Sequence, residues 1–165
     1  MLIRLFRTAR EINNIMLIYP LIAALIIAAD QATKFAVRAS MQPGDRIPVI
    51  GDWFSIYYVR NTGAAFSMFS GNKMVTIALT SVLIILCLVF IIYEARKGSK
   101  ALAALITMIF AGGVGNMIDR LALGYVTDMI SCWNFAVFNV ADIFVTCGCF
   151  ITVLYILFAY KDGTK

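Results

Sequence analysis

Histidine is absent from this chain of 165 residues. That absence excludes Ser-His and Cys-His nucleophile pairs and any His-ligated zinc site. Charge is scarce as well: 14% of residues are Asp, Glu, Lys or Arg, 62% are hydrophobic, and the mean hydropathy is +0.89. A soluble globular domain carries about 25% charged and roughly 45–50% apolar residues. The composition excludes that class and points to a polytopic membrane protein, with 1–165 as a single integral membrane domain. The four cysteines form no pattern. Cys87, Cys147 and Cys149 fall in apolar runs and Cys132 in a loop, and an intramembrane free Cys behaves as a small hydrophobe.

A spanning helix needs about 20 mostly apolar residues. Four stretches qualify: Ile15 to about Val37, Met74 to Tyr93, Ala101 to Ile118, and about Val140 to Tyr160. Only the second lacks Gly, Pro and charge.

The net charge of +5 is distributed as membrane orientation demands, not as a nucleic-acid footprint. Arg4, Arg7 and Arg10 precede the first span, Arg96, Lys97 and Lys100 fill the short loop after the second, and Lys161 and Lys165 follow the fourth. The positive-inside rule then places both termini in the cytoplasm, with 39–73 and 120–139 as extracytoplasmic loops. Residues 1–14 read as a basic cytoplasmic extension whose interleaved Leu2, Ile3, Leu5 and Phe6 suit the inner membrane surface. A cleaved signal peptide is the rival reading of this start, and Met16 could also be the start codon of a shorter form. Three later spans, and continuation of the first through Asp30 and Lys34, favour a retained helix.

Carboxylates at membrane depth are costly and mark function or buried pairing. Asp119 closes the third apolar run and Asp142 opens the fourth. Consecutive antiparallel helices would bring them to the same side of the bilayer, close enough to share one proton. Asn116 precedes Asp119 by three residues, as Asn139 precedes Asp142, a spacing suited to giving a carboxylate pair neutral hydrogen bonds. Two adjacent carboxyl groups do not both ionise easily, so one can act as acid and the other as base on a water attacking a carbonyl. A Ser67–Lys73 dyad is conceivable, but no spacing requires it.

Asp30 and Lys34 stand four apart near the outer end of the first span, which allows an intrahelical pair with the lysine snorkelling toward headgroups. They either anchor that helix end or brace a site. In the first outer loop, Ile47–Ile50 and Trp53–Val59 are β-prone runs separated by Gly51-Asp52, a hairpin signature. Trp53, Phe54, Tyr57 and Tyr58 suit an interfacial belt. The second outer loop has two such runs, Tyr125–Ile130 and Trp133–Val140. In Ala111-Gly112-Gly113-Val114-Gly115-Asn116 the small residues permit close helix packing.

The blocks Asp30-Gln31-Ala32-Thr33-Lys34, Asn61-Thr62-Gly63-Ala64-Ala65-Phe66, Gly112 to Arg120, Val126-Thr127-Asp128-Met129-Ile130 and Phe138-Asn139-Val140-Ala141-Asp142 resemble, in order and spacing, those of bacterial lipoprotein signal peptidase, signal peptidase II. The resemblance implies a membrane all-α fold with a small β part: four transmembrane helices, an extracytoplasmic β-cradle and both termini inside. It implies an aspartyl endopeptidase of the bacterial cytoplasmic membrane, working at the extracytoplasmic face on diacylglyceryl-modified prolipoproteins, which it cuts before the lipobox cysteine. By position, it casts Asp119 and Asp142 as the catalytic pair. Asn61, Gly63, Asn116, Arg120 and Asn139 would line and order the site, with Asp30, Lys34 and Asp128 in support. Neither metal nor cofactor is expected, nor a nucleic-acid partner; membrane lipid is, and the chain is expected to act as a monomer. Departures are mild: Ala111 where glycine is common, Met129 where phenylalanine is usual, and an extension over the first 15 residues. The competing class is a transporter or proton-coupled channel with Asp119 and Asp142 as an ion or proton relay, and four short spans without an inverted repeat make a poor transporter.

Overall fold

The computed structural model describes residues 2–51, 53–63, 72–133 and 136–159, with side chains from Leu17 onward. Asp52, Ala64–Phe66, Ser67, Lys161 and Lys165, all invoked above, lie outside the described residues. The order is α1 (Leu2–Ser40), β1 (Arg46–Ile50), β2 (Phe54–Asn61), α2 (Lys73–Lys97), α3 (Lys100–Ala122), β3 (Val126–Cys132), β4 (Ala136–Phe138) and α4 (Val140–Phe158).

Four helices are long and apolar enough to cross a membrane: Leu17–Ser40 within α1, then α2, α3 and α4. α3 is the central one. It packs against each of the other three and is buried over more than half of its most apolar stretch. The others turn Leu21, Leu25, Leu86, Phe90, Phe150 and Leu157 outward, which is the surface a hydrocarbon solvent requires. The glycines of α3 serve two neighbours. A Cβ on Gly112 would stand 2.5 Å from the Ala141 carbonyl oxygen of α4, and one on Gly113 would meet Ile84 of α2 at 3.3 Å. Gly148 of α4 admits Ile109 in return, so the small residues do set helix-to-helix contact as their spacing predicts.

Helix ends follow local chemistry. The Asn72 side chain accepts from the Val75 N–H at 3.2 Å and caps α2, and Gly98, at φ +92°, ends it in the left-handed region that glycine tolerates. α4 opens on a capping box: Asn139 Oδ1 accepts from the Asp142 N–H and Asp142 Oδ2 from the Asn139 N–H. The expected strand through Val140 therefore stops at Phe138.

The strands form one antiparallel sheet in the order β1-β2-β3-β4, two hairpins joined through β2 and β3. Tyr58 and Met129 pack with Val37 and Met41 at the end of α1, which fastens the sheet to the helices. Tyr58 is thus a core residue and not a belt residue, whereas Trp53 is exposed.

Candidate active site

Where α1, α3 and the start of α4 meet the sheet, the interior is polar. Asp30, Lys34, Asn116, Asp119, Thr127, Asp128 and Asn139 are all buried, and Asp142 is half-buried. Burial on this scale is tolerable only if every group is partnered, and the partners divide the site in two.

The first half is built on cations. Lys34 Nζ sits 2.8 Å from Asp30 Oδ2 and donates to Asn116 Oδ1 at 2.9 Å. The lysine is fully buried, so it does not snorkel; room for it and its partner comes from α3, where a Cβ on Gly115 would stand 2.6 Å from Asp30 Oδ2. The other Asp30 oxygen accepts the Ala141 N–H at 2.9 Å, one of the unpaired donors in the first turn of α4. Gln31 Nε2 ties Asp30 Oδ2 to the Gly115 carbonyl. Asp119 belongs to the same half. Its Oδ2 accepts the Thr127 N–H at 2.9 Å and lies 3.7 Å from Lys34 Nζ, while its Oδ1 lies 3.5 Å from Arg38 Nη1. Arg38 also donates to Thr127 Oγ1 at 3.0 Å.

The second half is built on amides. Asp142 Oδ1 accepts from Asn116 Nδ2 at 2.8 Å. Asn139 Nδ2 donates to Asp128 Oδ1 at 2.7 Å and to Asn116 Oδ1 at 3.1 Å, while Asn61 Nδ2 donates to Asp128 Oδ2 at 2.9 Å. Asn139 therefore holds Asp128 with its side chain and Asp142 through the capping box. Burial first, and then the negative charge of Asp142, push the Asp128 carboxyl up to about 7; the Asn61 and Asn139 hydrogen bonds and the Lys34 charge resist that rise. Arg120 closes one side: Nη2 donates to the Gly63 carbonyl at 3.1 Å, and its charge acts on Asp142, Asp128 and Asp119. Gly63 N–H in turn donates to Asn61 Oδ1 at 2.9 Å.

The residues singled out from sequence converge here, in a different pairing. Both oxygens of Asp119 are turned to cations and to Thr127, and Asn116, expected to serve Asp119 on its own helix face, reaches across to Asp142. Asp128, given a supporting place by the resemblance, takes two amide donors and stands in the field of Asp142. Sequence reasoning missed Arg38 and Thr127. A signal for Arg38 existed: Asp30, Lys34 and Arg38 recur every four residues and so share one face of α1.

The description "Signal peptidase (SPase) II" belongs to a family model that matches residues 22–158. The lipoprotein signal peptidase of Dehalococcoides mccartyi strain 195 is 39% identical over 155 residues, covering 89% of this chain and 94% of that protein. The lipoprotein signal peptidase of Brevibacillus brevis is 39% identical over 149 residues, covering 89% and 97%. A solved structure described as a bacterial membrane enzyme, obtained by the in meso method at 2.3 Å resolution, superposes with a TM-score of 0.76 at 29% identity, covering 89% of this chain and 93% of the other.

Proposed function

Since this chain belongs to the signal peptidase II family, aspartic-type peptidases that remove signal peptides from prolipoproteins, we propose that Asp128 and Asp142 are its reacting pair. The observation that carries this reading is Asn139, which bonds Asp128 at 2.7 Å and exchanges two hydrogen bonds with Asp142. Two carboxyl groups oriented by one amide, neither in contact with a cation among the described residues, can share a proton. Asp128 retains its proton up to about pH 7 and donates to the scissile carbonyl oxygen. Asp142, half-buried and accepting N–H bonds from Asn116 and Asn139, takes a proton from the attacking water. The gem-diol intermediate collapses as the proton gained by Asp142 passes to the leaving amine, the C–N bond breaks, and the C=O bond re-forms with return of a hydroxyl proton to Asp128. Asp119, locked in an ion pair with Lys34 and Arg38, holds the backbone of Thr127 and so the strand that carries Asp128.

Substrate placement follows from depth. The site lies where the helices end and the sheet begins. The flanking basic residues of the sequence put that end outside the cytoplasm, in the inner membrane. A substrate anchored there by a diacylglyceryl cysteine brings its scissile bond to the pair, because each buried CH₂ contributes about 0.8 kcal/mol to holding the chains in lipid or groove. Every group named comes from a single chain, so a monomer suffices.

The test is turnover of a diacylated lipobox peptide by purified, folded variants in detergent. Asp128→Asn and Asp142→Asn are each expected to lose about 10²–10⁴-fold, and Asp119→Asn about tenfold through loss of order. Retained turnover in Asp128→Asn beside an inactive Asp119→Asn would return the assignment to Asp119 and Asp142.

A further inference from the structure

The far end of the sheet carries a feature that the reaction does not use. Trp53, beside the β1–β2 turn, and Trp133, at the end of β3, stack with ring centroids 4.5 Å apart and planes 18° from parallel. The Trp133 N–H donates to the Trp53 carbonyl at 2.8 Å, so the two hairpin tips are joined by backbone as well as by rings. Trp133 adopts φ +48°, the one non-glycine residue in the left-handed region among the described residues. Bulky residues avoid that conformation unless the surroundings impose it. The stack is not a core: the two rings are 63% and 66% exposed, and Ile50 and Val49 beside them are 65% and 52% exposed. Buried aromatic area is the usual return for holding such a geometry, and water offers none here.

We infer that the Trp53–Trp133 clasp, with Ile50 and Val49, is a docking surface for the headgroup–acyl boundary of the bilayer, seating the outer end of the sheet in the same membrane that its helices cross. Continuity argues for lipid as the occupant. Five residues link α1 to β1, three link α3 to β3, and Asn139 alone links β4 to α4, so at about 3.3–3.6 Å per residue the near end of the sheet is held at the helix ends and the clasp lies within one β3 length of it. Indole combines a large apolar face with one N–H donor and concentrates at membrane interfaces for that reason. The clasp lies five positions along β3 from Asp128, roughly 17 Å at about 3.3 Å per residue. A sheet held by α1 and Asp119 at one end and by lipid at the other fixes the height of Asp128 relative to the membrane.

The chain contains two tryptophans, both in the clasp, so its indole fluorescence reports on this surface alone. The full chain is reconstituted in phosphatidylcholine vesicles carrying bromine either near the headgroup end of the acyl chains or near their methyl ends. The expected result is blue-shifted emission, strongest quenching by the bromine nearer the headgroups, and protection from aqueous iodide. Trp53→Phe and Trp133→Phe, each leaving one indole, should show the same order of quenching. Strong iodide quenching without bromine quenching would overturn the inference, since the clasp would then stand in water. Insensitivity to both would overturn it equally, because a protein surface, such as a second copy, would be the cover.

Discussion

Asp119 and Asp128 are the same residue type, each 1% exposed, and Thr127 is held by one while it precedes the other in the chain. Their surroundings are opposite. Asp119 lies 3.7 Å from the Lys34 ammonium and 3.5 Å from the Arg38 guanidinium; Asp128 accepts from two neutral amides and faces another carboxylate. Opposite unit charges about 4 Å apart attract by about 4 kcal/mol at an effective dielectric of 20, whereas a neutral hydrogen bond contributes about 0.5–1.5 kcal/mol net. The first arrangement pins a carboxylate in place between two cations and a backbone N–H. The second orders a carboxylate without fixing its proton. On the proposed assignment, the buried carboxylate that holds the structure and the one that does chemistry differ in the class of their partners and not in their depth.

The largest way to break that comparison is to remove the cation on which one side depends. Lys34→Met leaves Asp30 buried without its ammonium and Asp119 with Arg38 alone, and orphaning a buried charge costs about 3–5 kcal/mol. Thermal melting in detergent should show a large loss of stability, with activity falling because Asn116 loses one of the two donors, Lys34 and Asn139, that orient it toward Asp142. Asp128→Asn should do the reverse: turnover disappears while melting changes far less, since no buried charge is orphaned and the new amide oxygen still accepts from one of Asn61 and Asn139. Equal destabilisation by the two substitutions would mean that both halves are structural.

Much of this architecture was legible without coordinates, and the part that was not has a physical cause. The four spans follow from length and hydropathy, and the first hairpin from Gly51-Asp52 between β-prone runs; both agree with the elements found. The described polar residues of the five motif blocks lie together because the polar residues of a membrane interior must meet to satisfy one another. What spacing could not supply is direction across elements. Asn116 and Asp119 share a helix face, yet Asn116 turns to α4. The three-residue step from Asn139 to Asp142 is a capping box before it is anything else. Asp128 fell in a β-prone run of an outer loop by sequence, but the strand it would pair with was not legible, and the pairing of Val59 with Asp128 across β2 and β3 brings it inward. Lys34 looked free to snorkel because nothing in the sequence says that a glycine on another helix will make room for it.

A smaller effect sharpens the comparison through pH. The Asp128 carboxyl, raised to about 7 in the folded protein, has an unfolded value of about 3.9. The folded state therefore binds the extra proton between those values. The resulting stability is full below about pH 4 and is lost as pH rises through about 7. The wild-type melting temperature should fall across that window relative to Asp128→Asn, which has no such proton. Turnover should decline on the same alkaline limb, as the acid is lost. A pH–rate profile flat from pH 6 to well above 8 would remove Asp128 from the acid role.

The smallest effect tests the amide side alone. Asn61 donates to Asp128 Oδ2 at 2.9 Å and opposes the rise of its carboxyl, because an N–H bond favours the ionised acceptor. Asn61→Ala removes that donor and leaves Asn139 in place. The protonated form of Asp128 gains, so the alkaline limb should move to higher pH, by about one unit or less if the lost bond contributes about 0.5–1.5 kcal/mol. At the pH optimum turnover should fall only several-fold, since the Asn139 contacts to both carboxyl groups persist. The direction is the informative part: a purely structural Asn61 would lower turnover at every pH and leave the limb where it was. A limb displaced to lower pH would mean that Asn61 holds the protonated carboxyl, with its Oδ1 and not its Nδ2 turned to Asp128.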